Sequence, residues 1–193
     1  MERPDEQGYA HFMEHLSMRG SRHVPDGESK RIWQRLGVTF GSDSNAATTP
    51  TGTTYALDLP QANQASLGES LKILAGMMTD PNIVDSAVDA ERAVVLAERR
   101  ESDGPQMRIS DASRQHFFAG QPLADHAPIG TVATLNAVTA AKAEAFHQRW
   151  YRPENTVIAI AGDIDPALAE QLLKDNFASW QDSGKGAEQP DFG

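Results

Sequence analysis

Two histidines four residues apart, His11 and His15, lie in the run GYAHFMEHLSMR (residues 8–19), and this pair constrains the fold more than any other feature. On a helix, positions i and i+4 stand one above the other, so both imidazoles can reach a single ion. Glu14, three residues beyond His11, shares that face. Catalytic zinc typically takes three protein ligands and keeps one position for water, so a distant segment must bring a further ligand to this helix. The chain has no cysteine among its 193 residues. Thiolate zinc sites, disulfides and cysteine nucleophiles are therefore excluded, and a carboxylate is the natural third ligand.

The run 85–101 supplies two such carboxylates, Glu91 and Glu98, seven residues apart. Two helical turns place them on nearly the same face. One can bind the metal while the other supports the site through a hydrogen bond, and spacing alone does not say which. The order His-x-x-Glu-His is the inverted zinc-peptidase motif, in which the glutamate takes a proton from water. In a chain with six histidines, a chance match has odds of roughly one in a hundred. His23, His116, His126 and His147 have no metal-ligand spacing and read as surface or packing residues.

Around these segments the pattern alternates between helix and strand. Residues 28–36 carry a helical stripe of Ile32, Trp33 and Leu36. Residues 53–59 alternate like a half-buried strand, and 64–79 repeat Leu67, Leu71, Leu74 and Met78 at amphipathic-helix spacing. Residues 108–118 and 137–150 read as helices, 120–134 as a loop, and 155–161 (NTVIAIA) as a buried strand. An amphipathic helix over 166–180 closes the sequence pattern. Together these predict an α+β fold: a mixed or antiparallel sheet with helices packed on one face. Residues 1–180 form one domain, and 181–193 (QDSGKGAEQPDFG) a linker or tail.

Charge and hydropathy narrow the partners. Seventeen Lys and Arg stand against 27 Asp and Glu, a formal net charge of -10. Nucleic-acid binding needs clustered positive charge, so no nucleic-acid partner is expected, and any bias is toward basic ligands. No stretch approaches the roughly 20 apolar residues of a membrane-spanning helix, so no membrane partner is expected either.

Five segments, taken in order, resemble the pitrilysin/insulinase zinc metallopeptidases, the inverzincins. They are GYAHFMEHLSMRGS, SNAATTPTGTTYALDLP, ERAVVLAE, PIGT (128–131) and WYRPENTVIAIAGDIDP (150–166). The similarity runs from about Gly8 to Trp180. It implies a pitrilysin-like N-terminal catalytic domain with one zinc ion held by His11, His15 and Glu98. Glu14 would be the general base, and Glu91 would lie behind the ligands as a further catalytic-site acid. The gap from His15 to Glu98 is a few residues longer than the family pattern, and a shifted alignment would make Glu91 the ligand. Ser44, Asn45 and Ala46 match the family's substrate-binding edge strand, which an extended peptide can join as an added strand.

The resemblance also implies what accompanies such a domain. The family's zinc helix follows two β-strands, here replaced by MERPDEQ, which reads as an exposed start. The domain is therefore expected to lack its first two strands and to be truncated at its N-terminus. The expected activity is zinc-dependent endopeptidase or oligopeptidase hydrolysis of a peptide or unfolded polypeptide. A second homologous domain or subunit would be needed for full activity, so the isolated fragment is expected to be weak or inactive. The alternative is a non-catalytic peptide-binding or scaffold subunit, which has no need of a general base. A periplasmic or otherwise exported bacterial protein is favoured over a cytoplasmic one.

Overall fold

The computed structural model describes residues 2–181. In chain order, helix α1 (Tyr9–Arg19) and α2 (Glu28–Arg35) precede a hairpin of β1 (Ser44–Thr49) and β2 (Gly52–Leu57). Then follow α3 (Gln64–Thr79), α4 (Asp85–Ser102), α5 (Pro105–Phe117), α6 (Val132–Asn136), α7 (Ala140–Trp150) and α8 (Pro166–Phe177). The segment expected as a loop over 120–134 contains a 3-10 turn, Pro122–Asp125, and the start of α6. The expected linker beyond Gln181 lies outside the described residues.

The start of α1 is fixed from three sides. Gly8 has φ 88, a conformation that L side chains rarely adopt. A Cβ there would stand 2.7 Å from the Cα of Gly130, so two backbones meet where only glycine fits. The carboxylate of Glu2 accepts hydrogen bonds from the amides of Gly8 (2.9 Å) and Ala10 (2.5 Å), and pairs with His126 Nε2 at 2.8 Å. A negative charge on the open amides of a helix N-terminus is stabilising. The expectation of an exposed start holds for Arg3 to Asp5 and fails for Glu2, whose side chain is only 3% exposed because it caps the buried helix.

One face of α1 enters the main core. Tyr9, Phe12, Met13 and Leu16 cluster with Ala87, Val88 and Val95 of α4, and with Leu135, Val138, Ala143 and Phe146. The three-and-four spacing on both helices makes two apolar stripes that bury each other. A second cluster gathers Val24, Trp33 and Val38 with Ile73 and Met77 of α3. The sheet is a two-stranded antiparallel hairpin paired from Ser44↔Leu57 to Thr49↔Gly52, with α1 packed against both strands.

The expected strand over 155–161 is not found. Pro153–Asn155 is a 3-10 turn, and no backbone hydrogen bond involves Val157 to Ala161 among the described residues. Val157 is 92% exposed, and Ile158 and Ile160 are also exposed. A strand exists only through pairing, so an apolar run without a neighbouring strand stays irregular however strong its composition. Between this run, β2 and α3 lies an open cavity of about 1160 Å³, lined in part by Tyr55, Leu57, Leu67, Leu74 and Ile160.

Candidate metal centre

The contact of α1 with α4 brings the two histidines and the two distant acids together. Glu91 and Glu98 flank Val95, itself fully buried, so packing that valine against α1 turns both carboxylates to the histidine face. Glu98 Oε2 lies 3.5 Å from His11 Nε2 and 3.4 Å from His15 Nε2. One ligand atom from each of these three residues lies within 4.8 Å of the others. Glu91 reaches the same imidazole from the other side, with Oε2 at 3.0 Å from His15 Nδ1. The second Glu91 oxygen accepts from Arg19 at 2.7 Å, and Arg19 also pairs with Asp26.

These contacts set the charge state of each group. Burial alone would push Glu91 up, but its hydrogen bonds to His15 and Arg19 hold it below the usual carboxylate range. Burial works against a charged His15, and the hydrogen bond and charge of Glu91, helped by Glu98 and Glu14, outweigh it and raise its pKa. His11 is lowered, chiefly by burial, although Glu98 pulls the other way. A carboxylate only accepts, so Nδ1 of His15 carries the proton toward Glu91 and Nε2 is the nitrogen turned to Glu98. His11 Nδ1 is buried and has no partner among the described residues.

Glu14 is buried beside this cluster, and its Oε2 accepts a 2.5 Å hydrogen bond from the Thr48 hydroxyl of β1. Ser44, Asn45 and Ala46, expected at the substrate edge, occupy the first half of β1. Ser44 is buried, Asn45 is exposed and Ala46 is intermediate, the alternation of a strand with one face on α1. Sequence reading passed over Thr48, Arg19 and Glu2. The period-2 rule was the available signal for Thr48, since it shares a face with Ser44 and Ala46, and Arg19 stands four residues beyond His15. His126 and His147, both buried, are packing residues: His126 pairs with Glu2, and His147 Nε2 donates to the Met78 carbonyl at 2.8 Å.

Comparison with known proteins gives this arrangement its class. Residues 1–127 match the insulinase family (peptidase family M16), and residues 137–192 match the M16 inactive domain. The chain belongs to the M16 peptidase family. Among individual relatives, it is 34% identical over 177 residues to the probable zinc protease PqqL of Escherichia coli, covering 92% of this chain and 19% of that protein. The crystal structure of the first half of the periplasmic protease PqqL from Escherichia coli matches with a TM-score of 0.92 at 33% identity, covering all of this chain and 41% of that one. Pitrilysin, at 20% identity and a TM-score of 0.71, shares the fold. The chain thus spans about a fifth of the length of the curated relative. No described helix is long and apolar enough to cross a membrane.

Proposed function

We propose that this chain is the zinc-binding domain of a metallopeptidase, with His11, His15 and Glu98 as ligands and Glu14 as general base. The observation that carries this reading is the spacing of the donor atoms. Ligands about 2.0–2.1 Å from a tetrahedral zinc stand about 3.4 Å from one another. Two of the three donor separations, 3.5 and 3.4 Å from Glu98 to the imidazoles, match that edge and exceed the 2.7–3.2 Å of an ordinary N–H···O hydrogen bond. All three donor atoms lie within 4.8 Å of one another. Two imidazoles and a carboxylate are also the donor types zinc accepts.

The surrounding residues then have distinct tasks. Glu91 holds the Nδ1 proton of His15 and so keeps its Nε2 lone pair free, and Arg19 holds Glu91. Zinc at this site would act as a Lewis acid, making water acidic and polarising a peptide carbonyl. Glu14, with Oε2 engaged by Thr48, has Oε1 to take a proton from the attacking water and return it to the departing amine. The outer edge of β1, with Asn45 exposed, offers backbone groups for an extended peptide substrate.

In this reading residues 1–180 are the peptidase domain, and 181–193 a linker or tail. A second homologous domain supplies the groups that stabilise the tetrahedral intermediate, so the chain by itself binds zinc and cleaves peptides slowly or not at all. Similarity to a periplasmic protease supports an exported location. Metal analysis of the purified chain is the test. About one zinc per chain is expected, lost on Glu98→Gln and weakened about 10- to 100-fold on Glu91→Gln. Loss of zinc in the Glu91 variant with retention in the Glu98 variant would reassign the ligand, and a metal-free wild-type chain would end the proposal.

A further inference from the structure

The general base has a single anchor, and it comes from the strand rather than from the helix. Glu14 is 8% exposed and takes part in no ion pair among the described residues. The one hydrogen bond to its carboxylate there is the 2.5 Å contact from Thr48 Oγ1. Thr48 is held in turn by Thr53, directly opposite on β2, with 3.1 Å between the hydroxyl oxygens.

The direction of these bonds follows from their chemistry. A threonine hydroxyl has one proton and two lone pairs, and an ionised carboxylate has no proton to give. Thr48 must spend its proton on Glu14, so Thr53 donates to Thr48. The result is an ordered relay, Thr53 to Thr48 to Glu14. Both threonines are β-branched, stiff at χ1, and fixed by their cross-strand pairing. A glutamate side chain has three rotatable torsions, and a base must stand within roughly 0.5 Å and 10–20° of its working position.

We propose that Thr48 is the positioning residue for Glu14: its hydroxyl, backed by Thr53, fixes the carboxylate so that Oε1 faces the reacting water. This rests on the reading of Glu14 as the base. It also makes the hairpin a shared part: the strand whose edge would receive the substrate is the one that aims the base. Substrate register and proton transfer are then set by one piece of backbone.

Crystal structures of the zinc-loaded chain compare wild type with Thr48→Val, which keeps the shape without the hydroxyl, and Thr48→Ser, which keeps the hydroxyl. The carboxylate of Glu14 is expected to leave its position in the Val variant and to hold it in the Ser variant, with zinc affinity within about twofold throughout. Where the wild-type protein turns over a peptide, kcat falls about 10- to 100-fold in the Val variant with KM nearly unchanged, and Ser restores most of it. Thr53→Val serves as the second probe, and spreads Glu14 over more than one rotamer. An unmoved Glu14 in the Val variant, or equal damage from Ser and Val, would overturn the proposal. Glu14→Gln separates the two readings: full turnover in that variant removes the base itself, whereas an inactive Gln variant beside an unaffected Val variant removes only the role of Thr48.

Discussion

Two apolar stretches of this chain meet opposite fates. Val88 and Val95, in the apolar stripe of α4, are buried to 1% and 0% exposure against α1, whereas Val157, in a continuous apolar run, is 92% exposed. Helices satisfy their own backbone, so α1 and α4 need only each other's apolar stripe, and both are present. The run 157–161 has its side chains ready but, among the described residues, lacks a strand to pair with its amides. The candidate metal ligands His11, His15 and Glu98 lie wholly on the self-sufficient side. The candidate ligands can therefore be brought together while the expected strand over 155–161 stays unformed.

The sharpest way to break this comparison is to remove a ligand from the self-sufficient side. His15→Ala should weaken zinc binding by more than about 100-fold, beyond the cost of losing an outer hydrogen-bond partner, measured by competition with a chelator. The zinc-free chain should keep its melting temperature within a few degrees, because the side chain of His15 is outside the apolar cluster that joins the helices. A large loss of stability in the zinc-free protein would show that histidine–glutamate contacts, rather than the valine stripe, hold α4 on α1.

The same division explains what was legible in the sequence. His11, Glu14 and His15 follow from one helical turn, and Glu91 and Glu98 from two, because helix periodicity is local. Glu98 in place of Glu91 beside both Nε2 atoms came from family resemblance, since spacing on α4 allowed either. Thr48 depends on where a strand face lands against a helix, and Glu2 on the segment ahead of α1 folding back to cap it, neither of which local pattern encodes. The run 155–161 was misread because a strand's composition stood in for a strand's partners. Its Val and Ile residues report how the segment would pack once paired.

A core substitution gives the next largest effect. Val95→Ala removes two buried methyl groups from the α1–α4 contact and should cost about 2 kcal/mol, including the cavity left behind. Denaturant unfolding of the metal-free chain measures it. Zinc affinity should fall with it, since Glu91 and Glu98 are carried on the helix that Val95 seats.

A smaller, pH-dependent effect tests the far end of the main core. His147 is buried, hydrogen-bonded to the Met78 carbonyl and stacked on Tyr151 at 4.9 Å between ring centroids. Its pKa is lowered from 6.5, chiefly by burial, with the Met78 hydrogen bond and the charges of Glu144 and Asp80 pulling only partly back. The folded value is below the unfolded one, so the unfolded chain takes up a proton first as pH falls. The contribution of His147 is therefore present above pH 6.5 and is lost as pH drops below it. Thermal unfolding from pH 8 to 5 should show wild type losing more stability on the acid side than His147→Gln, and parallel curves would refute the assignment.

The smallest effect is expected where the sequence looked most like core. Val157→Ala deletes the same two methyl groups as Val95→Ala, but from a side chain 92% exposed to solvent, so little surface returns to water on unfolding. Surface substitutions of this kind stay within about 0.5 kcal/mol. The pair of valines is thus an internal control: the same atoms are deleted, with burial the main variable beside the helix propensity that Val95→Ala gains in α4. Suppose Val157→Ala cost as much as Val95→Ala in the isolated chain. The run 157–161 would then be paired in solution, and the exposed face along β2 would have found a strand, from a second copy or another chain. Sedimentation of the same samples separates those cases, because pairing between copies makes the cost of Val157→Ala rise with protein concentration while the cost of Val95→Ala stays fixed.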